Sequence, residues 1–579
     1  MKTFKRLLSM ILAICMLFAL FAGCGKDTAS SAEVDAAHPE TSVTEPPETV
    51  PTADTPDASA VSTAEPASVE EPPQLNFPLT DTEEHLSMFY YYPPFLTDYT
   101  DDVAKTSVFE QMKKLTGVTI DFQACILFAV QENFSLMVAS EDYTDLVYGF
   151  GTYYTNGMDN AVEDNIIYPL NDYLKDGLMP NFQALLDNND SIKINAMTDS
   201  GYYPVAPQIL SPDYMPNAGM VIRQDYLDDV EMDSPITYDD WHTVLTAFKN
   251  KLNLEAPLTI PYYGSIFGDY LGAGFDVATY VQSSLNFYVV DGEVKLGAIE
   301  DGYKQYLETM HQWYTEGLIW QDFMSATEQM NYPDSDRVIS GKTGIWYCDI
   351  DTMAQYKGMG DDPDFRVVGV SDPVLQEGNV NHLRKYSDAD ANLVNLGNGV
   401  AITTHCANPE LAAQWLDAHF SPQGILILNY GGIEGETFRY DEAGKPVLTD
   451  LVVNNPNMVF NHAISYYCAK NYAGYYEYNR LSSIHTDDQK QATAVWAKAD
   501  STYGYPVNAY MTADETYQYS GTASDMVTLI LENVVKFITG DRPISEYEDF
   551  RSELINMGTD DVIQIKQAAY DRYVERTTK

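Results

Sequence analysis

Basic side chains are scarce in this sequence: 33 Lys and Arg stand against 85 Asp and Glu in 579 residues, a net charge of −52. A surface this acidic is repelled by nucleic acid and by anionic lipid headgroups, so neither is an expected partner. Cysteine is nearly as rare. Beyond Cys24 only Cys125, Cys348, Cys406 and Cys468 remain, far apart and without metal-type pairing, which leaves their disulfide state open. None of the nine histidines is paired at metalloprotease spacing. Ser340-Gly341-Lys342-Thr343 looks like the tail of a phosphate-binding loop, yet Asp336 holds the place of its first glycine. Asp388-Ala389-Asp390-Ala391-Asn392 starts like a calcium loop, but Leu393 replaces the turn glycine and Gly399 the bidentate glutamate. No cofactor and no metal are therefore expected. Past the N-terminal segment, no apolar run approaches membrane-spanning length.

That N-terminal segment is built to be cut and lipidated. Lys2, Lys5 and Arg6 form a basic start, Leu7 to Ala22 an apolar stretch, and Phe21-Ala22-Gly23-Cys24 reads as a lipoprotein box. Residues 1–23 are thus the expected signal peptide, and Cys24 is the expected lipidation site. From Asp27 to Gln74 there is no Phe, Trp, Tyr, Ile, Leu or Met, whereas Pro, Thr, Ser, Ala and Glu recur. Such a segment buries too little apolar surface to offset its ordering entropy. Residues 24–77 therefore read as a disordered tether, reaching on the order of 40 Å as a flexible coil. The expected location is the extracellular side of the cell membrane, held there by lipid.

The remaining residues carry enough apolar side chains for a sizeable core in two or more lobes. Helices and strands alternate. Val108 to Thr116 predicts a helix ended by Gly117, and Val118, Ile120 and Phe122 predict the strand that follows. Asp145 to Gly151 reads as a buried strand entering a loop. Thr237 is placed to cap a helix with Trp241, Val244, Leu245 and Phe248 on one face. The predicted class is mixed α/β.

Several short motifs then recur in a telling order. They include Thr144-Asp145-Leu146-Val147, Tyr168-Pro169-Leu170-Asn171-Asp172, Gly201-Tyr202-Tyr203-Pro204, Pro235-Ile236-Thr237-Tyr238-Asp239-Asp240-Trp241, Ser340-Gly341-Lys342-Thr343-Gly344, Asn408-Pro409-Glu410-Leu411-Ala412 and Tyr430-Gly431-Gly432-Ile433-Glu434-Gly435. In this order, behind a lipoprotein signal, they resemble family 1 extracellular solute-binding proteins, the carbohydrate-type lipoproteins of ABC importers. The resemblance implies a two-lobed periplasmic-binding-protein-like fold with an interlobe cleft and a hinge crossed more than once. Residues 78–215 and 393–452 would form lobe 1, and 216–392 with 453–579 lobe 2. It also implies a non-enzymatic monomer that captures an oligosaccharide and passes it to permease subunits. A peptide or other small nutrient in the same fold, and a secreted glycosidase, are the alternatives.

Sugars present CH faces that stack on aromatic rings and hydroxyls that need both donors and acceptors. The chain holds 43 Tyr beside 23 Phe and 6 Trp, which suits such a surface. Ligand-facing residues of α/β lobes lie past the C-terminal ends of strands. Tyr91, Tyr92, Tyr153, Tyr154, Tyr263, Trp346, Asp349 and Asp351 hold such places, and the resemblance adds Tyr430 and Glu434.

Overall fold

The computed structural model of the protein describes residues 74–213, 215–260, 268–279, 281, 285–325, 335–359, 362–383 and 393–578. In chain order the strands are β1 (Glu84–Tyr92), β2 (Val118–Ile126), β3 (Leu146–Tyr148), β4 (Ile167–Tyr168), β5 (Ala206–Leu210), β6 (Ala218–Arg223), β7 (Ala256–Thr259), β8 (Phe287–Val290), β9 (Glu293–Leu296), β10 (Thr343–Asp349), β11 (Val367–Gly369), β12 (Val394–Thr403), β13 (Phe438–Tyr440), β14 (Pro446–Leu448) and β15 (Gly474–Tyr476). Two sheets organise them. The first has seven strands in the order β15-β5-β12-β3-β1-β2, with β4 beside β12; the second has four, β11-β6-β10-β7. Each sheet has its own apolar core.

Local sequence explains the elements. The helix Ser107–Thr116 buries Val108, Phe109 and Met112 on one face, and Gly117 ends it at φ 76°, its N–H bonded to the Lys113 carbonyl at 2.9 Å. The chain then enters β2, parallel to β1. The helix Tyr238–Lys251 opens on a capping box in which Thr237 and Asp240 satisfy each other's backbone N–H. Its inward face carries Trp241, Val244, Leu245 and Phe248, each burial contributing about 1.5–3 kcal/mol for a large apolar side chain.

The second sheet is covered on both faces, and β10 shows how. Ile345 and Tyr347 point into the main core of this lobe, while Trp346 and Cys348 point into a smaller one shared with Ala492 and Trp496. Trp346 is therefore fully buried.

Among the described residues the chain passes between the sheets three times. It goes from β5 to β6, from β11 to β12, and from β15 to the helix Asp487–Trp496, which packs on β6 and β11. The third passage corrects the expected boundary at residue 452. β15 pairs in parallel with β5 in the first sheet. Ala469, Tyr472, Ala473 and Tyr476 sit in the first core, and Ala463, Ile464, Cys468 and Leu481 pack with Tyr430 and Phe438 beside it. The sequence does not mark the stretch 453–481 as part of the first lobe, because its strand is three residues long and carries no alternation to read. The expected end of the tether also moves, since Leu75 and Phe77 pack against the first core.

The C-terminal helix Thr559–Thr578 straps the lobes together. Arg572 forms a two-pronged bond to Glu515 (2.6 and 2.9 Å) and reaches Asp199 at 3.3 Å, while Arg576 meets Asp199 at 2.9 Å. Among the described residues no helix is long and apolar enough to cross a membrane, and Cys125, Cys348, Cys406 and Cys468 are free thiols.

Candidate ligand cleft

The C-terminal ends of β1 and β3 bring tyrosines together. The Tyr91 ring stacks on Tyr148 at 4.6 Å and meets Tyr153 edge-on at 5.5 Å; Tyr90 stacks on the same Tyr148 ring at 5.2 Å. Such contacts are worth about 0.5–1.5 kcal/mol beyond burial. Gly149 makes the arrangement possible, with φ 78° and so little room that a Cβ would lie 2.6 Å from the Tyr91 ring. Burial raises the hydroxyl pKa of Tyr90, Tyr91, Tyr148 and Tyr153, the last to about 12. All four remain protonated, able to donate and accept hydrogen bonds. Tyr148 donates its hydroxyl proton to the Asn471 carbonyl.

The end of β10 carries a different chemistry. Asp349 closes that strand opposite Ala218, and Asp351 follows in the first turn of the next helix. Burial pushes the Asp349 carboxyl up to about 7, with Asp351 adding to the rise and Lys470 opposing it. Burial also raises Asp351, against the opposing charges of Lys470 and Arg480. Lys470 and Arg480 belong to the first lobe and Asp349 and Asp351 to the second, so this electrostatic influence runs from one lobe to the other. The Lys470 ammonium donates to Asn461 Oδ1 at 2.6 Å. Beside it lies a cavity of about 180 Å³ whose walls include Tyr90, Phe95, Phe109, Asn461, Ser465 and Tyr472. Phe95 stacks on His462 at 4.0 Å, and His462 Nδ1 lies 2.9 Å from the Tyr99 hydroxyl; burial lowers the His462 pKa.

The candidates named from sequence divide sharply. Tyr91, Tyr92 and Tyr153 are half-buried at the end of the first sheet, and Asp349 and Asp351 are half-buried at the end of the second. Tyr154 is buried and stacks on Phe150 at 4.9 Å, as packing. Trp346 cannot offer a ring to a ligand, because the alternation of β10 turns it into the smaller core. Tyr430 is likewise fully buried; its hydroxyl donates to Glu477 Oε2 at 3.0 Å and so fixes that carboxylate. Glu434 is exposed in a turn whose Gly431, Gly432 and Gly435 all have positive φ, so the glycines serve the turn. Tyr263, Cys24 and the calcium-like stretch 388–392 lie outside the described residues. Lys470, Asn461, Arg480 and Glu477 went unseen in the sequence. They come from loop and helix-end positions that no local pattern marks.

The two-lobed fold is the one seen in solved solute-binding proteins. No family model matches the chain. In sequence it is 25% identical, over 504 residues, to the fructooligosaccharide ABC transporter substrate-binding protein FusA of Streptococcus pneumoniae, across 80% of this chain and 87% of that protein. It is 22% identical over 401 residues to lipoprotein LipO of Bacillus subtilis, across 68% of this chain and 75% of that one. In structure it resembles the alginate-binding protein AlgQ2, with a TM-score of 0.66 and 22% identity, over 85% of this chain and 99% of that chain.

Proposed function

We propose that this protein is the membrane-anchored, extracellular substrate-binding component of an ABC importer. It captures an oligosaccharide between its lobes and delivers it unchanged to the permease. The observation that carries this reading is the pairing of two unlike walls, tyrosine rings at the ends of β1 and β3 and carboxylates at the end of β10. A sugar ring stacks its CH face on Tyr91 or Tyr153, and its hydroxyls donate to Asp349, Asp351 and Glu477 while accepting from tyrosine hydroxyls and Lys470. Ligand touches both walls only when the lobes are closed, so it favours closure by that difference in affinity. Cys24 carries the lipid, the segment up to about residue 73 is the tether, and the protein works as a monomer. The lipoprotein relative supports the anchor.

One observation favours a second reading. A raised Asp349 carboxyl beside a second carboxylate is also what a glycosidase uses. Asp349 and Asp351, however, issue from the end of one strand, whereas that chemistry needs acids flanking the scissile bond. Calorimetric titration with neutral oligosaccharides and with peptides, followed by chromatography of the recovered ligand, separates the readings. One-to-one binding with intact sugar recovered is expected. Cleaved sugar, or binding of peptides alone, would overturn the proposal.

A further inference from the structure

The cavity beside Lys470 has all of its described walls in the first lobe, and no carboxylate is among them. Its volume is about 180 Å³, close to the roughly 150 Å³ that accepts one benzene ring in an engineered protein core. One six-membered ring fits, and a whole oligosaccharide does not. Ring faces come from Tyr90 at the end of β1, Phe95 in the turn behind it, Phe109 near the start of the helix Ser107–Thr116, and Tyr472 just before β15. They are set by their own packing, since Tyr90 meets Phe109 edge-on at 5.4 Å and Tyr472 at 5.9 Å. The helix Phe460–Tyr467 supplies the polar side. Asn461 Oδ1 accepts from the Lys470 ammonium at 2.6 Å, which leaves the Asn461 Nδ2 hydrogens to donate. Ser465 gives its hydroxyl proton to the Asn461 carbonyl at 2.8 Å, which leaves its oxygen to accept. A donor, an acceptor and aromatic faces in a space of one ring match a single sugar unit. Tyr90 and Tyr91 stack on the same Tyr148 ring, at 5.2 and 4.6 Å, so the cavity adjoins the tyrosine wall.

Resting on the carbohydrate reading above, we infer that this cavity is a one-ring subsite: it takes the terminal sugar unit of the ligand into the first lobe alone, while the units that follow lie between the lobes. An internal unit would have to carry two neighbours out of a space that holds one ring. The chain is therefore gripped by one of its ends, and Asn461, Ser465 and the rings of Tyr90, Phe95 and Phe109 decide which terminal unit is accepted.

The test titrates the full chain in detergent, by calorimetry, with neutral fructo-, gluco-, manno-, galacto- and xylo-oligosaccharides. Each one that binds is then titrated again with a bulky aromatic tag on one terminal ring or on the other. A tag at the buried end is expected to weaken binding at least about tenfold, and a tag at the opposite end less than about threefold. Ser465→Trp, which fills the cavity, should weaken the untagged sugar at least about tenfold while thermal melting stays that of the parent. The comparison of tags answers the question even where that variant fails to fold. Tags tolerated at both ends, or equally costly at both, overturn the inference and leave the carbohydrate reading standing. A folded Ser465→Trp that binds as the parent does overturns it as well. Binding of no sugar in the panel overturns the carbohydrate reading, and the inference falls with it.

Discussion

The two walls of the proposed cleft are built by opposite means. On the first lobe, half-buried Tyr91 and Tyr153 lie against one another and Tyr91 on buried Tyr148, so their order comes from mutual packing. On the second, β10 is pinned through Trp346 and Cys348 into a core below, and the proposed ligand groups are the carboxyls left at its tip. The first wall offers faces and hydroxyls; the second offers charge on a rigid strand. Damage to the first should therefore show in affinity, and damage beneath the second in stability.

Trp346→Ala is the largest expected break. Emptying a fully buried indole site should cost about 3–5 kcal/mol in urea denaturation, with the loss confined to the second lobe. A drop below about 0.5 kcal/mol accompanied by lost sugar affinity would make Trp346 a ligand platform after all.

Asp349→Asn sharpens the contrast through pH. Burial pushes the folded-state carboxyl up to about 7 from its ordinary 3.8. The folded protein thus binds this proton more tightly than the unfolded chain, and the stability it confers is lost as pH rises from about 4 through 7. The asparagine variant should be more stable than the parent at pH 8 by on the order of 2 kcal/mol, and the gap should close by about pH 4. Thermal melts across that range are the check; a gap constant with pH would contradict the assignment.

Tyr91→Ala should weaken oligosaccharide binding about tenfold by calorimetry, the loss of one stacking face, while leaving the second lobe's melting unchanged. Glu434→Gln should be nearly silent, within about 0.5 kcal/mol in stability and without effect on affinity, because its carboxylate is exposed in a glycine turn.

Much of the fold was legible in the sequence because local rules and the fold agreed there. The helix Ser107–Thr116 ends at Gly117, and Thr237 caps its helix with Asp240, as their residues require. The end of β1 was legible too, since a tyrosine run past a buried strand marks a wet edge. Trp346 misled for a physical reason: the sequence puts it past the end of a strand, but it is the middle residue of Thr343–Asp349, where the sheet is covered on both faces and period two sends the ring inward. The stretch 453–481 misled because short strands such as β15 gain their stability from the neighbouring β5, which no local pattern records. Lys470, whose charge acts on both aspartates, lies just before β15, whose place beside β5 no local pattern records.

The central claim is that ligand is held by both walls at once. Small-angle scattering of the secreted chain, freed of its lipid and titrated with a neutral oligosaccharide that binds one-to-one, tests it most directly. The account predicts a radius of gyration that falls with occupancy and recovers when the sugar is dialysed away. An unchanged radius at full occupancy would contradict it.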